Sequence, residues 1–173
     1  MIPEVLTWME KKASKYVSGE ILNEFLQLMT LNITRQICSD IQKSRYYTIM
    51  ADECTDTANK EQFSICIRWV DSQLDDHEDV IGLYAVDKID SESLYKAIKD
   101  VLLRMNLSIS NCRGQCYDGA ANMIGSKTGV ATRIQAEEGR AILTHCYGHA
   151  LNLAVGNAMK QSKHCRDALD TAF

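Results

Sequence analysis

The sequence predicts an α/β protein with a mixed five-stranded sheet, whose elements follow the order βββαβαβα after an N-terminal helix. Short apolar runs with alternating polarity predict the strands, and longer stretches with apolar residues every three or four positions predict the helices. Three strands joined by short polar links indicate an antiparallel meander, and two strand–helix units then add parallel strands to the same sheet. A chain of 173 residues that is 46% hydrophobic can bury a core of this kind.

The first predicted element is an amphipathic helix that begins near Glu20. Its apolar residues recur every four positions and form one stripe, which we expect to cover a face of another element. The stripe comprises Ile21, Phe25, Met29, Ile33, Ile37 and Ile41. The sequence therefore predicts an N-terminal helical segment over residues 1–44 and an α/β domain over residues 45–173.

The predicted meander follows this helix. Its strands cover residues 46–52, 63–70 and 80–86, and the second strand shows the cleanest alternation of apolar and polar side chains. An acidic turn is predicted between the second and third strands, over residues 71–79.

The second half of the chain predicts the two strand–helix units. Asp90 or Ser91 caps a helix whose apolar stripe is Leu94, Ile98, Val101, Leu102 and Met105. A fourth strand is predicted at residues 113–117 and a short helix at residues 128–138. A fifth strand at residues 141–146 and a last helix at residues 148–159 follow.

Charge and cysteine usage restrict the possible functions. The net charge is −4, whereas a domain that holds nucleic acid by electrostatics alone is normally basic, so a nucleic-acid role needs a local site or a metal. The seven cysteines are an odd number and several lie in apolar runs, which favours reduced, buried thiols of the cytosol or nucleus over a disulfide framework. No apolar run is long enough to cross a membrane, and no membrane partner is expected.

Two aspartates stand at equivalent places in the predicted sheet. Asp52 ends the first strand and Asp118 ends the fourth. If these strands are parallel neighbours, both carboxylates lie at the same edge of the sheet. Paired carboxylates bind Mg²⁺, and metal ions held in this way support phosphoryl transfer. The alternative is that Asp52 only ends a strand and that Asp118 with Gly119 only forms a turn.

Cysteines and histidines suggest a second kind of site. Cys112, Cys116, Cys146 and His149 would suffice as ligands for a structural zinc ion. However, Cys116 lies inside a predicted strand and the spacing lacks paired knuckles, so buried thiols are favoured and zinc is not expected. His145 and His149 are four residues apart and are expected to share a face. His77 and His164 are expected to be solvated.

Three sequence blocks resemble those of hAT-superfamily transposases, which have a ribonuclease H-like fold. The blocks are residues 51–56 (ADECTD), 117–123 (YDGAANM) and 145–153 (HCYGHALNL). The resemblance runs from about Glu20 to the end of the chain and is strongest for host-domesticated relatives, such as the zinc finger MYM-type and THAP-type proteins.

This resemblance implies roles for individual residues. Asp52 matches the first catalytic aspartate and Asp118 the second, with Mg²⁺ or Mn²⁺ as the cofactor of an active enzyme. Cys146 and His149 match the Cys-x-x-His pair of the family. Asp56 is the alternative to Asp52, although it lies four residues further into the loop.

The resemblance also implies that catalysis is incomplete. Relatives that cut DNA use a third acid, a glutamate on a helix reached after a large insertion. The other available acids, which are Glu137, Glu138, Asp167 and Asp170, do not stand in that place. The expectation is therefore a truncated ribonuclease H-like domain of a nuclear, transposon-derived protein that binds nucleic acid or protein.

The expected partners and the competing functions follow from the same resemblance. It implies DNA contacts, through segments mostly outside these residues, and protein dimerisation. No small-molecule substrate is expected. Two alternatives stay open, which are an active metal-dependent transposase or nuclease and a zinc-stabilised interaction module.

Overall fold

The computed structural model describes residues 18–161. Its elements, in chain order, are α1 (Gly19–Ser44), β1 (Tyr47–Thr55), β2 (Glu61–Val70), β3 (Asp76–Ala85), α2 (Ser91–Arg104), a 3₁₀ turn (Ile109–Asn111), β4 (Cys112–Tyr117), α3 (Ala121–Ile124), α4 (Val130–Glu137), β5 (Ile142–His145) and α5 (Tyr147–Gln161). None of the described helices has the length and apolar character needed to cross a membrane.

The five strands form one mixed sheet in the order β3-β2-β1-β4-β5. β2 pairs antiparallel with both β1 and β3, as the short polar links require. β4 pairs parallel with both β1 and β5. α2 connects β3, which runs in the same direction as β1, to β4, and α3 and α4 connect β4 to β5. The predicted α/β fold, its meander and its parallel half are therefore confirmed.

The core lies on one face of this sheet. Every second residue of β1 and β2 points to that face, and the apolar stripes of α2 and α4 supply the facing side chains. The buried residues of these four elements are Tyr47, Ile49, Ala51, Phe63, Ile65, Ile67, Leu94, Ile98, Val101, Leu102, Val130, Ala131 and Ile134. Gln115 of β4 is also buried there, and its Nε2 donates to the carbonyl oxygens of Ala131 and Ala141, at 3.1 and 3.2 Å. This amide fixes α4 against the sheet.

The opposite face of the sheet is more open within the described residues. Met50, Cys66 and Cys116 lie side by side across three strands and are half-buried. Towards the two edges, Leu83 and Ile142 are 60% and 68% exposed. The two faces of the sheet thus differ in burial, and the acidic edge described below opens onto the more exposed face.

Helix α1 spans a boundary between two compact units, of which one ends at Ile37 and the other begins at Cys38. In the first unit, Phe25 and Ile33 are more than half exposed, so the expectation that the stripe covers a face of another element does not hold there among the described residues. In the second unit, Cys38 and Ile41 are buried. The helix itself is confirmed.

Strand β3 begins at Asp76, four residues earlier than Val80, the predicted start. Cross-strand contacts hold the acidic residues in extended conformation. The Arg68 guanidinium donates to Asp76 Oδ2 at 2.7 Å, and Trp69 Nε1 donates to Asp79 Oδ2 at 2.8 Å. The acidic turn is therefore confined to the residues before Asp76.

His77 corrects a second prediction, because it is not simply solvated. Its ring stacks on the indole of Trp69, with centroids 4.4 Å apart, and its Nε2 lies 3.1 Å from Asp71 Oδ2. The hydrogen bond to Asp71 is the main reason that the pKa of His77 is raised above its usual value. His164 lies outside the described residues.

Two details of the helices complete the comparison with the sequence. Asp90 is the N-cap of α2, and its side chain accepts hydrogen bonds from the backbone N–H groups of Glu92 and Ser93, as predicted. Helix α3 was not predicted, because its single turn is too short to show a periodic pattern.

Six of the seven cysteines, which were predicted to be reduced and buried, lie within the described residues. None of the six described cysteines forms a disulfide. Cys38 and Cys112 are buried, whereas Cys54 is exposed, so the expectation of burial is wrong for Cys54. Cys165 lies outside the described residues.

Candidate acidic site at the sheet edge

Asp52 and Asp118 lie at the same edge of the sheet, beyond the last paired residues of the parallel strands β1 and β4. The prediction that Asp52 ends the first strand is wrong, because β1 continues to Thr55 through its pairing with β2. The last paired residues of β1 and β4 are Met50 and Cys116, and each aspartate stands two positions further along its chain. Both aspartates line one cavity of about 380 Å³. The other residues that line this cavity are Met50, Ala51, Ser64, Cys66, Cys116, Tyr117, Cys146, Gly148, His149 and Asn152. The topology therefore brings the two predicted acids together.

Local hydrogen bonds orient the two carboxylates. Asp52 Oδ1 accepts the backbone N–H of Glu53 at 3.0 Å, and the Asp52 carbonyl oxygen accepts the Ser64 hydroxyl at 3.0 Å. Asp118 Oδ1 accepts the N–H of Ala120 at 3.0 Å, which closes a turn just before α3. The turn-forming role considered for Asp118 is thus real, and it coexists with a position at the cavity.

A third carboxylate, that of Glu53, lies next to these two acids. Asn122 Nδ2 donates to Glu53 Oε1 at 2.9 Å and to the Ile89 carbonyl oxygen at 2.8 Å. Partial burial raises the pKa of Glu53, the Asn122 hydrogen bond opposes this shift, and the negative charge of Asp118 adds to it. Sequence reasoning missed Glu53 and Asn122 as site residues, because their contact joins positions far apart in the chain.

The Cys146–His149 pair lies at the same cavity. The backbone N–H of Cys146 donates to the Tyr117 carbonyl oxygen at 2.8 Å, which ties the start of α5 to the end of β4. The rings of His145 and His149 meet edge to face, with centroids 5.7 Å apart, so they do share a face as predicted. Of the two histidines, His149 lines the cavity, together with Cys146.

The four residues considered as zinc ligands do not all reach one site. Cys116, Cys146 and His149 line the cavity, whereas Cys112 is buried and directs its thiol at the Gly114 carbonyl oxygen. Burial raises the pKa of Cys112 to about 11, which opposes the thiolate form that zinc requires. In the part of the chain that the structure describes, no group of three or more His, Cys, Asp or Glu residues is arranged to hold a metal ion.

Two carboxylates still fit one hard divalent cation. Mg²⁺ is often held by only one or two protein carboxylates and keeps several water ligands. Asp52 and Asp118 are oxygen donors that face a common cavity large enough for such waters. The donor set therefore suits Mg²⁺ or Mn²⁺ as a partly hydrated ion.

The alternative acids have other structural roles. Asp56 Oδ1 accepts the N–H groups of Ala58 and Lys60, and these bonds in the β1–β2 turn lower the pKa of Asp56. Glu137 pairs with Lys99 and Glu138 with Arg140. Asp167 and Asp170 lie outside the described residues.

Comparison with known proteins agrees with this architecture. A family model described as "ZMYM1/FAM200, RNase-like domain" matches residues 2–129, which include both aspartates. The human protein named "52 kDa repressor of the inhibitor of the protein kinase" is 25% identical over 131 residues, which cover 75% of this chain and 17% of that protein. Its mouse counterpart is 25% identical over 128 residues, covering 73% of this chain and 17% of that protein.

The chain thus spans about a sixth of the length of these relatives. The third block, at residues 145–153, lies beyond the segment that the family model matches, so its hAT-type assignment stays a prediction. The matched segment contains the meander, β4 and the turn that carries Asp118. The chain therefore belongs to the ZMYM1/FAM200 RNase-like domain family and is a transposase-derived RNase-like domain.

Proposed function

We propose that this chain is a nucleic-acid-binding domain of a nuclear, hAT-derived protein, and that it binds a phosphate backbone through one divalent cation held by Asp52 and Asp118. The observation that carries this proposal is that both carboxylates line one cavity at the edge of the sheet. The hAT-type blocks support the nuclear location, and a relative named as a repressor is consistent with it.

The charge of the site explains why a cation is needed. Among the residues that the structure describes, the lining of the cavity includes two aspartates and no Lys or Arg. A phosphodiester that approached these carboxylates directly would be repelled, whereas a bound cation would bridge the two negative groups. The net charge of −4 gives the rest of the chain no general attraction for DNA.

The active transposase or nuclease is the second candidate, and the same pair of acids favours it. A two-metal mechanism needs ligands that hold two ions on either side of the scissile phosphate. Glu53 is the neighbouring acid, but its Oε1 accepts a hydrogen bond from Asn122. Two carboxylates suit the binding of one ion better than they suit this chemistry.

Calorimetric titration with Mn²⁺ tests the cation site directly. We expect saturable binding in the wild-type chain and its loss in both Asp52→Asn and Asp118→Asn, because each change removes a charged oxygen ligand. Asp56→Asn is the matched control, since Asp56 follows the same strand but belongs to the turn. Equal binding in all four proteins would contradict the proposal.

A second experiment separates binding from catalysis. The anisotropy of a labelled DNA oligonucleotide should rise with the chain in Mg²⁺ but not in EDTA, and Asp118→Asn should abolish this rise. The same mixtures are incubated with supercoiled plasmid. Mg²⁺-dependent nicking that is lost in Asp52→Asn would favour the nuclease, and DNA binding that is unaffected by EDTA would contradict a bridging cation.

A further inference from the structure

Asn122 joins three segments of the chain that meet beside the acidic edge. It lies in α3, directly after the turn that carries Asp118. Its Nδ2 donates to Glu53 Oε1, at the end of β1, and to the Ile89 carbonyl oxygen, in the connection before α2. One half-buried amide group thus connects the β1 end, the β4 turn and the α2 entry.

The position of this link matters because the parallel ladder stops before the acids. The pairing of β1 with β4 ends at Met50 and Cys116, and both aspartates lie beyond it. Glu53 is the immediate neighbour of Asp52, and Asn122 follows Asp118 by one turn. The Glu53–Asn122 hydrogen bond links the side chains of the two acid-bearing segments beyond the end of that ladder.

We propose that Asn122 is the positioning residue of the acidic site, and that it sets the separation of Asp52 and Asp118 by holding the β4 turn against the end of β1. This inference rests on the cation site proposed above. It assigns to Asn122 no contact with the cation itself. The amide acts through Glu53 on one side and through the turn on the other.

The chemistry of the side chains makes this role specific. A primary amide has two N–H donors and can serve the Glu53 and Ile89 acceptors together, whereas alanine has no donor. An aspartate at position 122 would place a carboxylate against a carboxylate. Glutamine at position 53 keeps a carbonyl oxygen that accepts from Asn122, so Glu53→Gln should preserve the link.

Amide hydrogen exchange tests the link without any metal. In Asn122→Ala we expect exchange at the Ala120 and Ile124 amides to become about tenfold faster, because a hydrogen bond to a charged group is lost. Exchange within β2 should not change. Asn157→Ala is the matched control, since Asn157 is an exposed asparagine on α5, and Glu53→Gln should behave like the wild-type chain.

Mn²⁺ binding then tests the effect on the site. The affinity measured by calorimetry should fall by about 10- to 100-fold in Asn122→Ala, the range seen when groups that orient metal ligands are removed. Saturating Mn²⁺ should broaden the amide resonances of both Glu53 and Gly119 in the wild-type chain. In Asn122→Ala, the broadening of Gly119 should weaken while that of Glu53 persists, which a general loss of stability would not produce.

The outcomes distinguish this inference from the proposed function. Wild-type exchange and wild-type affinity in Asn122→Ala would overturn the positioning role. A wild-type chain that binds no Mn²⁺ would overturn the cation site, and the exchange comparison alone would then support or overturn Asn122 as the link.

Discussion

Replacing each of two adjacent leucines of α2 by alanine should have very unequal consequences for stability. Leu102 is 2% exposed and belongs to the core, whereas Leu103 is 78% exposed on the same helix. Leu102→Ala should cost about 3 kcal/mol of the free energy of unfolding, because it removes buried apolar surface and leaves a cavity. Leu103→Ala should change the free energy of unfolding by less than about 0.5 kcal/mol. Leucine and alanine both favour helix, and the side-chain surface that is lost was already in water.

Thermal unfolding followed by circular dichroism at 222 nm measures this difference. For a chain of this size, about 1 kcal/mol shifts Tm by about 2–4 °C, so Leu102→Ala should unfold about 6–12 °C below the wild-type chain. Leu103→Ala should unfold within about 2 °C of the wild type. A loss at Leu103 that equals or exceeds the loss at Leu102 would refute the orientation of α2 on the sheet.

Two further predictions concern the β2–β3 hairpin and the glycines. Protonated His77 should quench the stacked indole of Trp69. Fluorescence, with Trp69→Phe as the baseline, should therefore rise as the pH passes upward through a His77 pKa that the hydrogen bond to Asp71 holds above 6.5, and a midpoint below 6.5 would contradict that hydrogen bond. The hairpin stability that His77 contributes is present in full below pH 6.5 and is lost above its raised pKa. Gly129→Ala should destabilise the chain by about 1–3 kcal/mol in urea unfolding, because a Cβ there would lie 2.5 Å from a backbone nitrogen. Gly156→Ala, in open space on a helix, should stabilise it by about 0.5–1 kcal/mol, and equal effects of both changes would contradict the packing.

The sheet was predictable where the pattern of a strand is local. Phe63, Ile65 and Ile67 alternate with polar residues, and all three are fully buried. The first half of β3 was not predictable in this way, because its acidic residues favour turns. Its extended conformation depends on Arg68 and Trp69, which bind Asp76 and Asp79 across the hairpin.

The same distinction applies to the candidate site. Asp52 and Asp118 could be placed together, because each ends a predicted strand and the order of elements makes those strands parallel neighbours. Asn122 could not be placed, because its two acceptors lie 69 and 33 residues away in the sequence. No local sequence pattern encodes such contacts. They form only when the fold brings the end of β1, the β4 turn and the start of α2 together.

The unequal attachment of the two aspartates has a consequence for ion selectivity. Asp52 lies within the continuous ladder between β1 and β2, opposite Ser64, so its main chain cannot shift without breaking strand pairing. Asp118 lies in a turn after the last residue of β4. Because Mg²⁺ needs oxygen ligands at about 2.0–2.1 Å and Ca²⁺ accepts them at about 2.3–2.6 Å, only the Asp118 side can adjust to the radius of the ion. In the cation site proposed above, the stiffness of that turn would therefore decide which ion is preferred.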